Sequence, residues 1–387
     1  MSQHTIIIGG GGIGSATACF LSDMAAAGDR ITVIERDPSY QMASSSLSAS
    51  SIRQQFSTPV SVQLSQFGWE FMHSCADEAG VAGGAVGLNS RGYMFLGRED
   101  QAASLRGRAD LNRALNVPLV EFSPSELAAR YPWMHCDDIA YAAMGTAGEG
   151  WFDGYMLQQL YRSRARSRGV QYVKAHAVGL ETRGSKIVAA VLEDGSRIEG
   201  DQIVNAGGAW SATVARTVGV EIPVRARRRT IFVVSCPVPI ADFPILIDTS
   251  GIFVRPEQHH FLCTVVPEAV NDHDDLPLDP DFSLFEEVIW PTLAERIPAF
   301  EALRVERTWA GYYEFNTVDH NGLVGQIGPD NFTLATGFSG HGLMHSAGVG
   351  RGVAELLTQG SFQTLDLSPL SPKRLETGHL IVEDAVY

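Results

Sequence analysis

The chain has 387 residues, 45% of them hydrophobic, a mean hydropathy near zero and a formal net charge of −15. That length supplies two domains with cores of their own. The acidity argues against nonspecific nucleic-acid binding, and no long uninterrupted apolar run offers a membrane span. Five scattered cysteines (Cys19, Cys75, Cys136, Cys236 and Cys263) form no C-x-x-C, and the first strand starts too early to leave room for a cleaved leader. Both features predict reduced thiols and a cytoplasmic location.

Residues 5–8 are an apolar run, as expected of a strand buried on both faces of a parallel sheet. Gly9, Gly11 and Gly14 follow at G-x-G-x-x-G spacing, and a small-residue helix continues through Ala16, Ala18 and Ala25 to a stop at Gly28. Residues 31–34 read as a second buried strand ending in Glu35. Strand, glycines, helix, strand and acid in this order form a dinucleotide-binding fingerprint. The first glycine makes the turn, the second admits a pyrophosphate, and the third lets helix and strand pack closely. Glu35 accepts a hydrogen bond from a ribose hydroxyl and repels a 2′-phosphate. The fingerprint does not separate FAD from NAD.

The serine-rich residues 44–51 run into Ile52-Arg53-Gln54-Gln55-Phe56. Such a stretch reads as a flexible linker or as backbone passing close to a flat ligand, and its place after the fingerprint favours ligand contact. Residues 61–79 form an amphipathic helix through Leu64, Phe67 and Phe71, broken by 80–87. Next come a strand at 92–96, a helix at 100–115 and a strand at 119–121. Ser123-Pro124-Ser125-Glu126 is a capping box. Residues 153–169 form a basic helix, followed by strands at 171–180, 187–192 and 197–199 with a hairpin turn at 193–196. Residues 201–205 are a buried strand entering Ala206, Gly207, Gly208 and Trp210.

A β-rich stretch spans 223–316, with strands at 231–234, 252–255 and 260–266. The basic cluster 225–229 reads as a strand start rather than a polynucleotide site. The acidic residues 271–275 lack the glycine and final glutamate of a calcium loop. His259 and His260 point to opposite faces of a strand, so no metal is expected. At 332–336 a buried strand again enters a glycine-rich turn and a helix to about 358, whose N-terminus favours an electron-rich group. The chain thus begins and ends in the same kind of element.

Taken together, IIIGGGGIGSATACFL, SSSLSASSIRQQF, VNAGGAWS at 204–211, RTWAGYYEFNTVDHNGLVG at 307–325 and TGFSGHGLMHSAGVGR at 336–351 resemble the D-amino-acid oxidase family of flavoproteins. That family includes glycine, monomeric sarcosine and iminodiacetate oxidases and D-amino-acid dehydrogenases. The resemblance implies an α/β (α+β overall) fold: a discontinuous Rossmann-like FAD-binding domain with a second, β-sheet-rich substrate domain. The expected division is 1–85, 140–220 and 317–387 against 86–139 and 221–316. FAD is the implied cofactor. Gly9, Gly11, Gly12, Ile13, Gly14, Glu35 and Arg36 would hold its ADP half. Ser44, Ser45, Ser51 and Arg53 would lie along the pyrophosphate and isoalloxazine, joined by Ala206, Gly207 and Trp210. Gly337, Gly340, His341, Gly342, Leu343 and Met344 would meet the ring edge where negative charge develops.

The implied reaction oxidises the C–N bond of a small amino or imino acid, by hydride transfer from the α-carbon to flavin N5 and hydrolysis of the imine. It needs the substrate carboxylate clamped, and a bidentate arginine is the natural clamp. Arg255 is the first candidate and Arg53 the second, with Tyr312, Tyr313, Met344 and His345 lining the pocket. The segment 309–320 has no cysteine, and the stretch after Glu35 lacks the histidine used for covalent attachment elsewhere in the group, which implies noncovalent FAD. Methionine stands at 344 where monomeric sarcosine oxidases have lysine, and 250–270 contains no lysine. This counts against sarcosine as substrate and O₂ as obligatory acceptor. A secondary amine such as an N-carboxymethyl amino acid is favoured. The alternatives are a D-amino-acid dehydrogenase not using O₂, a flavin enzyme of a hydroxy acid or glycerol phosphate, and a flavin-binding subunit or assembly factor without turnover. The expected partners are the amino or imino acid and O₂ or another electron acceptor, with homo-oligomerisation left open.

Overall fold

A computed structural model describes residues 2–76 and 86–386. The apolar run folds as β1 (His4–Ile8), α1 follows as Gly12–Met24, and β2 is Arg30–Glu35. A six-stranded sheet runs in the order Leu323–Gln326, Phe332–Thr336, Gln202–Asn205, β1, β2, Gln171–Lys174. All neighbours are parallel except Leu323–Gln326, which is antiparallel. Side chains alternate across β1. Ile7 packs into a helical layer, while Ile6 and Ile8 pack against a three-stranded sheet of Ala177–Arg183, Lys186–Leu192 and Arg197–Glu199. Burial on both faces explains the apolar run Ile6-Ile7-Ile8 of β1.

The helical layer is close-packed through small residues. A Cβ at Gly350, on the Gly342–Gln359 helix, would lie 2.6 Å from the Ala16 carbonyl carbon of α1. One at Gly68, on Pro59–Ala76, would lie 2.4 Å from Met344 O. Phe71 stacks on Tyr161 with ring centroids 5.3 Å apart, tying in the helix Gly154–Ser167. The Ser123 capping box forms as expected, Ser123 Oγ accepting from Glu126 N.

An eight-stranded sheet has the order Arg304–Asn316, Val224–Ser235, His260–Thr264, Phe253–Glu257, Ile245–Ile247, Tyr93–Gly97, Tyr141–Gly145, Leu119–Phe122. One face carries a core of Met94, Phe232, Leu246, Val254 and Phe300. The other presents Tyr93, Phe95, Ile231 and Phe253. Tyr141–Gly145 pairs antiparallel with Tyr93–Gly97 as part of this sheet.

Several elements differ from the sequence expectation. The helix α1 ends at Met24, before Gly28, because the Asp29 carboxylate accepts from Ala26 N and Gln3 N and closes the turn earlier. The run 171–180 divides. Its first half joins β2, and its second half pairs antiparallel with Lys186–Leu192. The basic cluster lies inside Val224–Ser235. The expected helix at 61–79 is observed as Pro59–Ala76; its last residues, and most of the break at 80–87, lie outside the described residues. Among the described residues no helix is long and apolar enough to cross a membrane, and the five cysteines form no disulfide.

A buried ion pair ties the C-terminal region to the core. Arg374 Nε and Nη2 donate to the Asp319 carboxylate at 2.7 and 2.9 Å, and Asp319 is fully buried. Asp319→Ala strands a buried guanidinium and is expected to destabilise the fold by about 3–5 kcal/mol, read by urea unfolding.

Candidate active site

Between the end of β1, the start of α1 and the eight-stranded sheet runs a cleft of about 1470 Å³, including its open mouth. Gly9, Gly11, Gly12 and Ile13 form one wall. Gly9 has φ of 93°, and a Cβ there would lie 2.4 Å from Ala206 O. A Cβ on Gly14 would sit 1.9 Å from Gly9 O, so the third glycine is demanded by the turn itself. Gly11 differs: its φ is −64°, and a Cβ would touch only Ser45 Oγ, at 3.7 Å. Nothing in the protein requires glycine at that position, so the open space serves a ligand. The Glu35 carboxylate accepts from Gly10 N and Asp37 N, each at 2.8 Å, fixing its place at the far end of the cleft. Beside it the Arg36 guanidinium lies 3.6 Å from the centre of the Trp210 ring.

FAD is tested by what these residues leave unsatisfied. Tyr40 OH and Ser45 Oγ are buried, line the cleft and have no hydrogen-bond partner. No side chain caps the N-terminus of α1, whose amides favour a pyrophosphate. Cradle, orphaned hydroxyls and uncapped helix fit the group. The serine-rich segment is pinned beside the cleft by Trp309 Nε1 to Leu47 O, Arg255 Nε to Ala49 O and Phe152 N to Ser50 O. It is a pinned loop along the cleft wall rather than a flexible linker.

A second pocket of about 500 Å³ adjoins the cleft and shares Ala49, Thr264, Tyr313, Gly340 and Leu343 with it. Tyr93, Phe253 and Met344 give it apolar walls, with Ser51, Arg53 and His341 as polar members. Arg53 is 2% exposed and lies over the Phe56 ring at 4.0 Å. Its Nη1 donates to Gln55 O at 2.5 Å, and its Nη2 meets Ala385 O and, at 2.9 Å, His341 Nε2. An arginine only donates, so His341 Nε2 accepts and the ring is neutral. Burial and the Arg53 charge hold His341 well below the usual histidine range.

Most sequence-predicted residues meet here. Glu35, Arg36, Ser44, Ser45, Ala206, Gly207, Trp210, Tyr312, Gly342 and Leu343 line the cleft. Gly14 and Gly337 shape turns behind it. Two predicted pocket residues line neither space. Arg255 is engaged by Glu257 at 2.5 Å and by Ala49 O, and so supports the serine loop. His345 packs among Phe56, Phe338 and His341, where burial pushes its pKa down to about 3. The basic cluster meets the acidic loop: Arg229 pairs with Asp272 at 2.7 Å, Arg227 with Asp274 at 2.8 Å, and Arg228 with Asp281 at 3.2 Å. These pairings withdraw the cluster from phosphate binding. Sequence reasoning missed Tyr40, Tyr93, Phe253, Thr264, Arg229 and Glu314. Of these, only Glu314 lies within a segment that carries the resemblance.

Glu149, fully buried, holds the Arg53 loop in place. It accepts from Gln54 N at 2.6 Å, Gln55 N at 3.1 Å and Gln55 Nε2 at 2.9 Å. Burial pushes its carboxyl up to about 7. A carboxyl with a raised folded pKa contributes stability below its unfolded value, and that stability is lost as pH rises to about 7. The loss is at most about 3 kcal/mol for each such group. Glu314 shares the shift, so Glu149→Gln is expected to remove roughly half of the stability lost between about pH 4.5 and 7. Urea unfolding at both ends of that range reads it.

Comparison with known proteins agrees with this geometry. The profile of the FAD dependent oxidoreductase family, DAO, matches residues 4–356. The FAD-dependent oxidoreductase domain-containing protein 1 of Xenopus laevis is 35% identical, covering 98% of this chain and 83% of that protein. Glycine oxidase of Pseudomonas aeruginosa is 24% identical, covering 96% and 99%. The crystal structure of L-proline dehydrogenase from P. horikoshii superposes with a TM-score of 0.84 at 24% identity, covering 98% and 99%. The chain therefore belongs to the DAO family of FAD-dependent oxidoreductases.

Proposed function

We propose that the protein oxidises the C–N bond of a small amino or imino acid, with noncovalent FAD in the cleft and the substrate in the adjoining pocket. The observation that carries this reading is Arg53, buried in the wall of the pocket that adjoins the cleft. When bound, FAD supplies the acceptor for the two electrons and the hydrogen leaving the α-carbon. The chain's own residues provide orientation. Arg53 faces the substrate carboxylate, and two of its partners, Gln55 O and Ala385 O, are main-chain carbonyls, weaker acceptors for a guanidinium than a carboxylate. Neutral His341 avoids a second positive charge beside the guanidinium. Tyr93, Phe253, Tyr313 and Met344 exclude water and hold the α-carbon toward the cleft. Arg53 thus takes the clamping role first given to Arg255.

A secondary amine such as an N-carboxymethyl amino acid remains the favoured substrate, and Arg53 is the one cationic side chain lining the pocket among the described residues. Glycine oxidase and L-proline dehydrogenase among the similar proteins are named for a primary and a secondary amino acid, which supports the wider class of small amino and imino acids. The test is turnover of matched pairs, each amino acid against its carboxamide. The carboxamides are expected to lose at least about 100-fold in kcat/KM. Equal turnover of both members would refute the carboxylate clamp.

A further inference from the structure

One carboxyl group in the cleft wall is not used by the proposed reaction. Glu314, on Arg304–Asn316 opposite Ala226, is 8% exposed and lines the cleft with Gly340, Gly342 and Leu343. Two glycine turns converge on it. A Cβ at Gly342 would lie 3.0 Å from its Oε1, and one at Gly208 would lie 3.9 Å from its Oε2. Oε2 accepts from Thr336 Oγ1 at 2.8 Å, and Oε1 from Phe338 N at 3.4 Å.

The charged and titratable groups around Glu314 leave it uncompensated. Tyr312 and Tyr313 flank it on its own strand, both with pKa values raised by burial. Arg227 and Arg229 on the neighbouring strand are held by Asp274 and Asp272. Arg36 lies over Trp210, and His341 at the glycine turn is neutral. No salt bridge among the described residues includes Glu314, and burial pushes its carboxyl up to about 7. Near neutral pH it therefore stands ready to gain or lose a proton.

We propose that Glu314 takes up one proton from water when the bound FAD is reduced by two electrons. An O–H bond forms on the carboxylate, the hydroxide left behind passes to the buffer, and the electrons come from the amine substrate or any external reductant. The physical reason is electrostatic: added negative charge in a low-dielectric cleft disfavours a second anion beside it. The N-terminus of the Gly342–Gln359 helix then faces one negative charge instead of two. This inference rests on FAD binding but not on the amino-acid substrate, so it is tested with dithionite as reductant.

The experiment follows the midpoint potential of the FAD-loaded protein from about pH 7.5 to 9, a range in which the cofactor alone takes up one proton with two electrons. The wild type is expected to fall with pH at the slope of two protons per two electrons, and Glu314→Gln at the slope of one. Thr336→Val keeps the carboxyl but loses the hydroxyl donor to Oε2. It is expected to keep the two-proton slope and extend it to higher pH. A one-proton slope in the wild type, or an unchanged slope in Glu314→Gln, overturns the proposal. Should Glu314→Gln fail to retain FAD, the titration is carried past about pH 9 to the break at which the wild type returns to the one-proton slope, and a break that Thr336→Val leaves unmoved overturns the proposal instead.

Discussion

Arg53→Lys is expected to lower kcat/KM by about 10²–10⁴-fold while leaving FAD bound. The range follows from the 3–5 kcal/mol lost when one partner of a buried charge pair is removed or can no longer reach. Lysine keeps the positive charge but not the planar fork that holds a carboxylate bidentately. Both KM and kcat should suffer, because a loosely held carboxylate also lets the α-carbon drift from its reacting position. Arg53 sits within the pocket wall, whereas Arg255 donates to Ala49 O and Glu257. Arg255→Lys is therefore expected to act mainly through the serine loop, weakening FAD retention more than substrate discrimination. The opposite pattern would return the clamp to Arg255.

The fingerprint glycines give the second large effect, and they separate ligand from fold. Gly14→Ala places a Cβ 1.9 Å from the main-chain oxygen of Gly9, which has no flexible side chain to yield. It is expected to destabilise the apoprotein by about 3 kcal/mol or more, as overpacking against fixed backbone does. Gly11→Ala is compatible with φ of −64° and meets only Ser45 Oγ at 3.7 Å. The apoprotein should therefore melt within about 0.5 kcal/mol of wild type, as substitutions outside packed features usually do. Its affinity for FAD should fall about 5- to 150-fold, the equivalent of 1–3 kcal/mol of crowding against the ligand. Calorimetric melts of the apoproteins and FAD titrations of each variant read both halves. Equal FAD affinity in Gly11→Ala would contradict the placement of the pyrophosphate beside this residue.

What the sequence disclosed follows from the range of the physical causes. The β1–α1–β2 unit was legible because each of its requirements is local: an apolar strand, a turn that excludes Cβ atoms, and an acid at the end of the next strand. The capping box at Ser123 was legible for the same reason. The surroundings of Arg53 were not, because Arg53, His341 and Ala385 meet only through tertiary packing. No local pattern separates an arginine facing a pocket from one that supports a loop. The pairing of 225–229 with Asp272, Asp274 and Asp281 was hidden likewise: read separately, one stretch suggests an anion site and the other a solvated loop. Glu314 carried no sign of burial, since a glutamate in a strand ordinarily reads as facing solvent. The division of 171–180 between two sheets reflects a choice of partners, β2 on one side and Lys186–Leu192 on the other, which periodicity does not encode.

The central claim is that this FAD site receives electrons from a small amino or imino acid. Anaerobic absorbance titration of the FAD-loaded protein tests it most directly, using a panel of N-substituted and primary amino acids and following the flavin band near about 450 nm. Bleaching is expected with one class of carboxylate-bearing amines and not with the corresponding carboxamides. Rapid recovery on admitting air marks an oxidase, and a persistently bleached band marks a dehydrogenase with another acceptor. A band that dithionite bleaches but no amino or imino acid does would contradict the claim.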